Sequence, residues 1–216
     1  MRRQWQWYVR AAGTGLGAVL LAGCGGEQAD TAAPLDQAQV RSVLPDAKAM
    51  PGWKTAEKPS AGALDTEFKK SSVCPNEGNK GCEGSRFLGS VTFERADSDA
   101  LAGLWMVAYE DEQAAEAAYD VLWKDTARKT GKEKADLGSA GEERDALRGA
   151  VGPQGTKGIT GQIRVGTTIL RLDASARHED QLDKGFVKDI AALFAHRAQQ
   201  AQNGETPSAT LGDVQS

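Results

Sequence analysis

The sequence predicts an α+β domain: an antiparallel sheet with helices packed mainly on one face, in a single domain that follows a cleaved export signal. Three observations carry this. Apolar periodicity alternates between strand-like and helix-like segments in the order helix, two strands, helix, two or three strands, helix. A two-residue turn at Gly166-Thr167 pairs its flanking strands so that apolar residues share one face. The last long segment, 180–200, places Leu182, Phe186, Ile190, Leu193 and Phe194 on one helical stripe.

The elements follow in order. Asp36 stands where it can cap a first helix, with Gln39 three residues on as a relative of the capping box. Leu35 and Val40 hold the staple positions, and Pro45 ends the helix near Leu44. Met50-Pro51-Gly52-Trp53 reads as a turn with an aromatic lid over the core. Residues 57–86 hold few apolar side chains and read as a long loop. Phe87, Val91 and Phe93 alternate with Thr92 and Glu94 as a half-buried strand. After the break at 96–99, Leu104 to Tyr109 is a short apolar run suited to a central strand.

Asp111 can cap the next helix, which runs to about Ala127 with Ala114, Ala115, Ala118, Val121 and Leu122 on one face. Its early alanines predict close approach to a neighbour. Residues 129–142 read as loop and Arg144 to Ala150 as a weak strand. Glycine first in the two-residue turn suits type II′ geometry. The resulting register pairs Val165 with Thr168, Ile163 with Leu170 and Gly161 with Leu172 on the apolar face. Arg164 with Ile169 and Gln162 with Arg171 fall on the polar one. Residues 204–216 are small and polar and read as a disordered tail.

The N-terminus has a different character. Residues 1–10 carry Arg2, Arg3 and Arg10 with no acid, and the twelve residues 11–22 are apolar. A spanning helix needs about 20, so this is a signal segment with charged, apolar and cleavage regions in order. Leu21-Ala22-Gly23-Cys24 resembles the lipobox of bacterial lipoprotein precursors. That resemblance implies cleavage before Cys24, a diacylglyceryl anchor on its sulfur and attachment to the outer face of the cell membrane. Two acyl chains on one thiol satisfy the two-signal requirement for stable anchoring. The boundaries are then 1–23 for the signal peptide, 24–34 for a flexible tether, 35–203 for the domain and 204–216 for the tail. Arg2-Arg3 leaves general secretory and twin-arginine export both open.

With Cys24 taken by lipid, Cys74 and Cys82 remain, bracketing a turn-rich stretch. Outside the cell such a pair is most simply a disulfide. It would stabilise the fold by about 2.5 kcal/mol on the chain-entropy model. Without Arg2, Arg3 and Arg10 the remainder has 23 basic and 30 acidic side chains, a formal −7. This acidic balance argues against nucleic acid and against a polybasic contact with lipid. Arg128-Lys129-Thr130-Gly131-Lys132 is a basic run after a helix and reads as a solvated helix end.

Chemical motifs are sparse. His178 and His196 are too far apart to pair on one helix, and read as structural or solvated. Gly13-Thr14-Gly15-Leu16-Gly17 lies in the signal segment. Asp97 and Asp99 suit a turn, and Glu142-Glu143 read as solvated loop acids. No nucleophile elbow, zinc helix, Walker loop or calcium loop is present. The expectation is therefore no catalytic residue, no metal and no cofactor. Trp53, Trp105, Trp123 and Tyr109 suit core packing first and a cleft for an apolar or sugar ligand second.

Leu44-Pro45, Met50-Pro51-Gly52-Trp53 and two cysteines are followed by Trp105, Val107 and Tyr109 on one strand, an alanine-rich helix and Ile163-Arg164-Val165-Gly166-Thr167. Together these resemble secreted lipoproteins of actinomycetes and the extracellular sensor domain of PknH-type receptor Ser/Thr kinases. The resemblance covers most of 35–200 and implies an α+β domain with a ligand-binding cleft. It carries over no binding residues. The function it implies is a non-enzymatic extracytoplasmic module for a small molecule, cell-wall fragment or partner protein. The rivals are a carrier of lipid or another hydrophobic ligand, and an envelope enzyme.

Overall fold

Local sequence decides where the first helix starts. In the computed structural model, which describes residues 32–66, 70, 73–74, 80–131, 133–151, 156–178, 182 and 184–214, α1 spans Gln37–Val43. Asp36 Oδ1 accepts from Gln39 N at 2.8 Å, and Gln39 Oε1 accepts from Asp36 N at 2.9 Å. Both halves of the capping box are therefore made. Leu35 and Val40 are both fully buried. Cys24, the signal segment 1–23 and residues 24–31 of the expected tether lie outside the described residues.

Seven strands form one sheet: β1 Trp53–Ala63, β2 Ser85–Arg95, β3 Leu101–Tyr109, β4 Glu133–Lys134, β5 Glu143–Val151, β6 Thr156–Val165 and β7 Thr168–Ser175. Their order is β1-β2-β3-β7-β6-β5-β4, and every pairing is antiparallel. The other helices with both ends among the described residues are α2 Glu112–Thr130, α3 Lys184–Gln202 and the short α4 Leu211–Val214. The fold is the α+β class expected.

One face of the sheet carries the main core. Phe93, Leu104, Met106, Ile163, Leu170 and Leu172 meet Val40 and Val43 of α1 and Ile190, Leu193 and Phe194 of α3. The other face carries a smaller core, where Val107, Tyr109 and Ile169 meet Ala115, Ala118, Tyr119 and Leu122 of α2. Three described helices thus share one face, and α2 covers part of the opposite one. The hairpin register is the one expected, from Val165 with Thr168 through Gly161 with Leu172. Its second face is only partly open, however. Ile169 is buried beneath α2 and Gln162 is buried with it.

Two expectations are corrected. Residues 53–63, mostly within the segment read as loop, form the edge strand β1. Its register with β2 shifts twice, and it carries Lys54, Lys58 and Pro59. Those are features that blunt an edge against pairing with another chain, and they erase the apolar alternation by which a strand is read. Residues 204–214, expected as a disordered tail, are packed. Ala209 and Leu211 are buried, and Leu211 N donates to Ala49 O at 2.9 Å. Two apolar side chains and a backbone bond suffice to hold a segment whose composition is otherwise that of a loop. Residues 32 and 33, at the end of the expected tether, are also held: Ala32 N donates to Glu112 Oε1 at 2.6 Å, and Thr167 Oγ1 donates to Ala33 O at 3.3 Å.

Candidate functional site

The start of α2 and the turn at 80–84 build a concavity among the described residues. Asp111 caps α2 by accepting from Ala114 N at 2.8 Å. The turn is tied at two points to the end of β3 and the residue that follows it. The buried Tyr109 hydroxyl donates to Gly81 O at 2.7 Å, and Glu110 N donates to Gly84 O at 2.8 Å. Cys74 and Cys82 are joined, with Cα atoms 6.0 Å apart, and Ser85 Oγ donates to Cys82 O at 2.7 Å. Gly81 and Gly84 adopt φ of +88° and +70°. A Cβ at Gly84 would stand 2.8 Å from Ala114 Cβ, so glycine allows the turn to approach the helix.

Between turn and helix lies an open groove of about 480 Å³, in the size range of small-ligand sites. Its floor is small and apolar, from Gly81, Gly84, Ala114, Ala117, Ala118 and Val121. Its rim carries Lys80, Glu83, Glu110, Asp111 and Gln113. The alanines of α2 therefore divide their work. Ala115 and Ala118 pack on the sheet, while Ala114 and Ala117 open the groove, since a larger side chain there would fill it. Glu112, one residue from the rim, holds Ala32. The chain thus enters the domain at the same end as the groove.

A polar network lies deeper, between α2 and the sheet. The Tyr119 hydroxyl is 3.1 Å from Asp145 Oδ2 and 3.2 Å from Gln162 O. Gln162 Nε2 donates back to Tyr119 O at 2.8 Å. Burial, and then the Asp145 charge, pushes the Tyr119 phenol above the usual range. Next to it, Arg171 donates to Thr126 Oγ1 at 3.0 Å and to Asp173 Oδ1 at 3.3 Å. Thr160 Oγ1 donates to the same Asp173 oxygen at 2.7 Å. The Arg171 guanidinium carbon stands 4.5 Å from the centre of the Trp105 ring. A crevice of about 30 Å³ runs alongside, which is room for about one water.

The remaining sequence candidates are dispersed. His178 and His196 are both exposed. Glu142 and Glu143 are not simply solvated: both pair with Arg164, and Glu142 Oε1 accepts from Gly166 N at 3.0 Å, which clasps the hairpin turn. Asp97 pairs with Arg95, and Asp99 with Arg177. In the basic run, Arg128 and Lys129 both pair with Asp125. Trp53 stacks against Phe186 at 5.2 Å as a lid on the main core. Among the described residues, no group of three or more His, Cys, Asp or Glu could hold a metal ion, and no helix is long and apolar enough to cross a membrane.

Sequence reading missed the groove because its two walls lie about 30 residues apart and neither bears a motif. The signal available was the coincidence of Gly81 and Gly84 with an alanine-rich helix start.

No protein-family model matches this chain, and no curated protein matches it. Among solved structures it is similar to the extracellular domain of PknH from Mycobacterium tuberculosis. The identity is 11% and the TM-score 0.49, over 81% of this chain and 100% of that one. At that level the likeness adds nothing about ligand or activity.

Proposed function

We propose that this protein is a lipoprotein of the outer face of the cell membrane, anchored through a diacylglyceryl group on Cys24, whose domain is a non-enzymatic, sensor-like binding module. The carrying observation is the groove of about 480 Å³ beside the start of α2, at the end where the chain enters the domain. The lipobox order at Cys24 supports the anchor, and the joined Cys74 and Cys82 fit an oxidising compartment. The ligand is a small molecule, a cell-wall fragment or a segment of a partner protein. Among the described residues, three carboxylates against one lysine on the rim favour a ligand that carries an amine. A lipid carrier needs an enclosed apolar cavity, whereas this groove is open and its rim is charged.

The test has two arms. Cys24→Ala should move the protein from the membrane fraction to the soluble fraction, and unchanged membrane association would refute the anchor. Titration of the ¹⁵N-labelled protein with a wall stem peptide bearing a free diamino acid should shift the amides of Gly81, Gly84 and Gln113. Ala117→Trp, which fills the groove from an exposed position, should abolish those shifts. Absence of any shift would exclude amine-bearing wall peptides as ligands of the groove.

A further inference from the structure

We infer that the uncovered part of the sheet, on the face that α2 only partly protects, is a binding surface for a neutral, hydroxyl-rich carbohydrate chain. The inference rests on the extracytoplasmic location proposed above, which gives access to such a chain, and it concerns a surface separate from the groove. Alternation along β3 buries Ala102 and Leu104 in the main core and turns Leu101, Gly103 and Trp105 the other way. On that side α2 and its neighbours cover Val107 and Tyr109. Among the described residues, α2 reaches Trp105 through Leu122, Asp125 and Thr126, but no side chain of α2 stands within 4 Å of a Cβ placed at Gly103. Gly103 and Trp105 are partly buried, and Leu101 is the one large hydrophobic among the described residues that is exposed, at 44%.

The register sets two short rows across the strands. Ser90, Trp105 and Arg171 form one, and Thr92, Gly103 and Asp173 the next. All six are partly buried, each keeping some of its surface in solvent. The rows are held before any ligand arrives. Arg171 lies over the indole and is bonded to Thr126 and Asp173, while Asp173 also accepts from Thr160. A surface already ordered loses little entropy on binding. At Gly103 an added Cβ would find only Asp173 O, at 3.8 Å. The missing side chain leaves an open notch beside the indole.

The chemistry of the rows selects the occupant. A protein partner needs a larger desolvated apolar centre than Leu101 and one indole supply. Nucleic acid needs a positive field, but Arg171 is matched by Asp173 and the chain is acidic overall. A sugar ring fits both features. Its C–H face suits the indole and Leu101, and its hydroxyls, which donate and accept, suit Ser90, Thr92, Arg171 and Asp173.

The experiment is a titration of the full chain with chitohexaose and with cellohexaose. It is followed by the indole N–H resonance of Trp105 and by calorimetry. At least one glycan should shift that resonance, and Trp105→Ala should weaken binding by about ten-fold or more. Gly103→Val fills the notch without a backbone clash and suits a strand, so it should fold with an unchanged melting temperature and lose the same affinity. The stem-peptide shifts at Gly81 and Gly84 should persist in Gly103→Val, so that failure here and failure of the groove reading stay separate. No response to either glycan at millimolar concentration would overturn the inference. So would binding that survives both Trp105→Ala and Gly103→Val.

Discussion

Arg197 shows how one side chain can close a gap left by local sequence. Pro45 prevents α1 from continuing, so the last carbonyls of the helix have no intrahelical partner. Arg197, 7% exposed on α3, donates to Ser42 O at 2.8 Å, Val43 O at 2.8 Å and Ala209 O at 2.9 Å. Burial pushes its pKa down while Asp46 opposes that shift, and a guanidinium remains charged regardless. Only a planar fork reaches three carbonyls at once. Arg197→Ala should therefore cost about 3 kcal/mol or more, from carbonyls left buried and unpaired. Arg197→Lys should recover only part of that loss. Urea unfolding would measure both, and a lysine variant with the wild-type midpoint would show that the fork is dispensable.

At the level of elements, the β6–β7 hairpin is held from both sides. The register expected from the sequence puts Leu170 on the apolar face and Ile169 on the polar one, which alone would make Leu170→Ala the costlier truncation. In the folded chain Leu170 is 0% exposed and Ile169 is 3% exposed, the latter under α2. Both truncations should now cost about 2–5 kcal/mol, and urea unfolding of the two variants should give similar losses. A much smaller loss for Ile169→Ala would mean that α2 relaxes into the space. The turn itself is pinned. Gln202 Nε2 donates to Val165 O at 2.8 Å, Glu142 accepts from Gly166 N, and a Cβ at Gly166 would fall 2.0 Å from Gln202 Oε1. Here the type of element was legible in the sequence, but the depth of its burial was not, because α2 lies more than thirty residues upstream.

For the whole molecule, the C-terminal segment acts as a strap over the joint between α1 and α3. Leu211 and Ala209 are buried there, and Ala209 O is one of the three acceptors of Arg197. Deleting 205–216 should lower stability by about 3 kcal/mol or more, from the exposed leucine pocket and the lost acceptor. A thermal melt would show it as a lower Tm, whereas a disordered tail would leave Tm unchanged.

What the sequence determined by itself is whatever neighbours along the chain can settle. The capping pair Asp36 and Gln39 are three residues apart, the hairpin register follows from a two-residue turn, and the α3 stripe is a repeat of three and four. The order Leu21-Ala22-Gly23-Cys24, on which the proposed anchor rests, is local in the same way. Tertiary structure alone decided that 53–63 is an edge strand, that α2 covers the second face, that Gly81 meets α2 to form a groove and that Arg171 lies over Trp105. Each of these depends on residues brought together across tens of positions. The composition of either partner is compatible with several neighbours, and packing selects one.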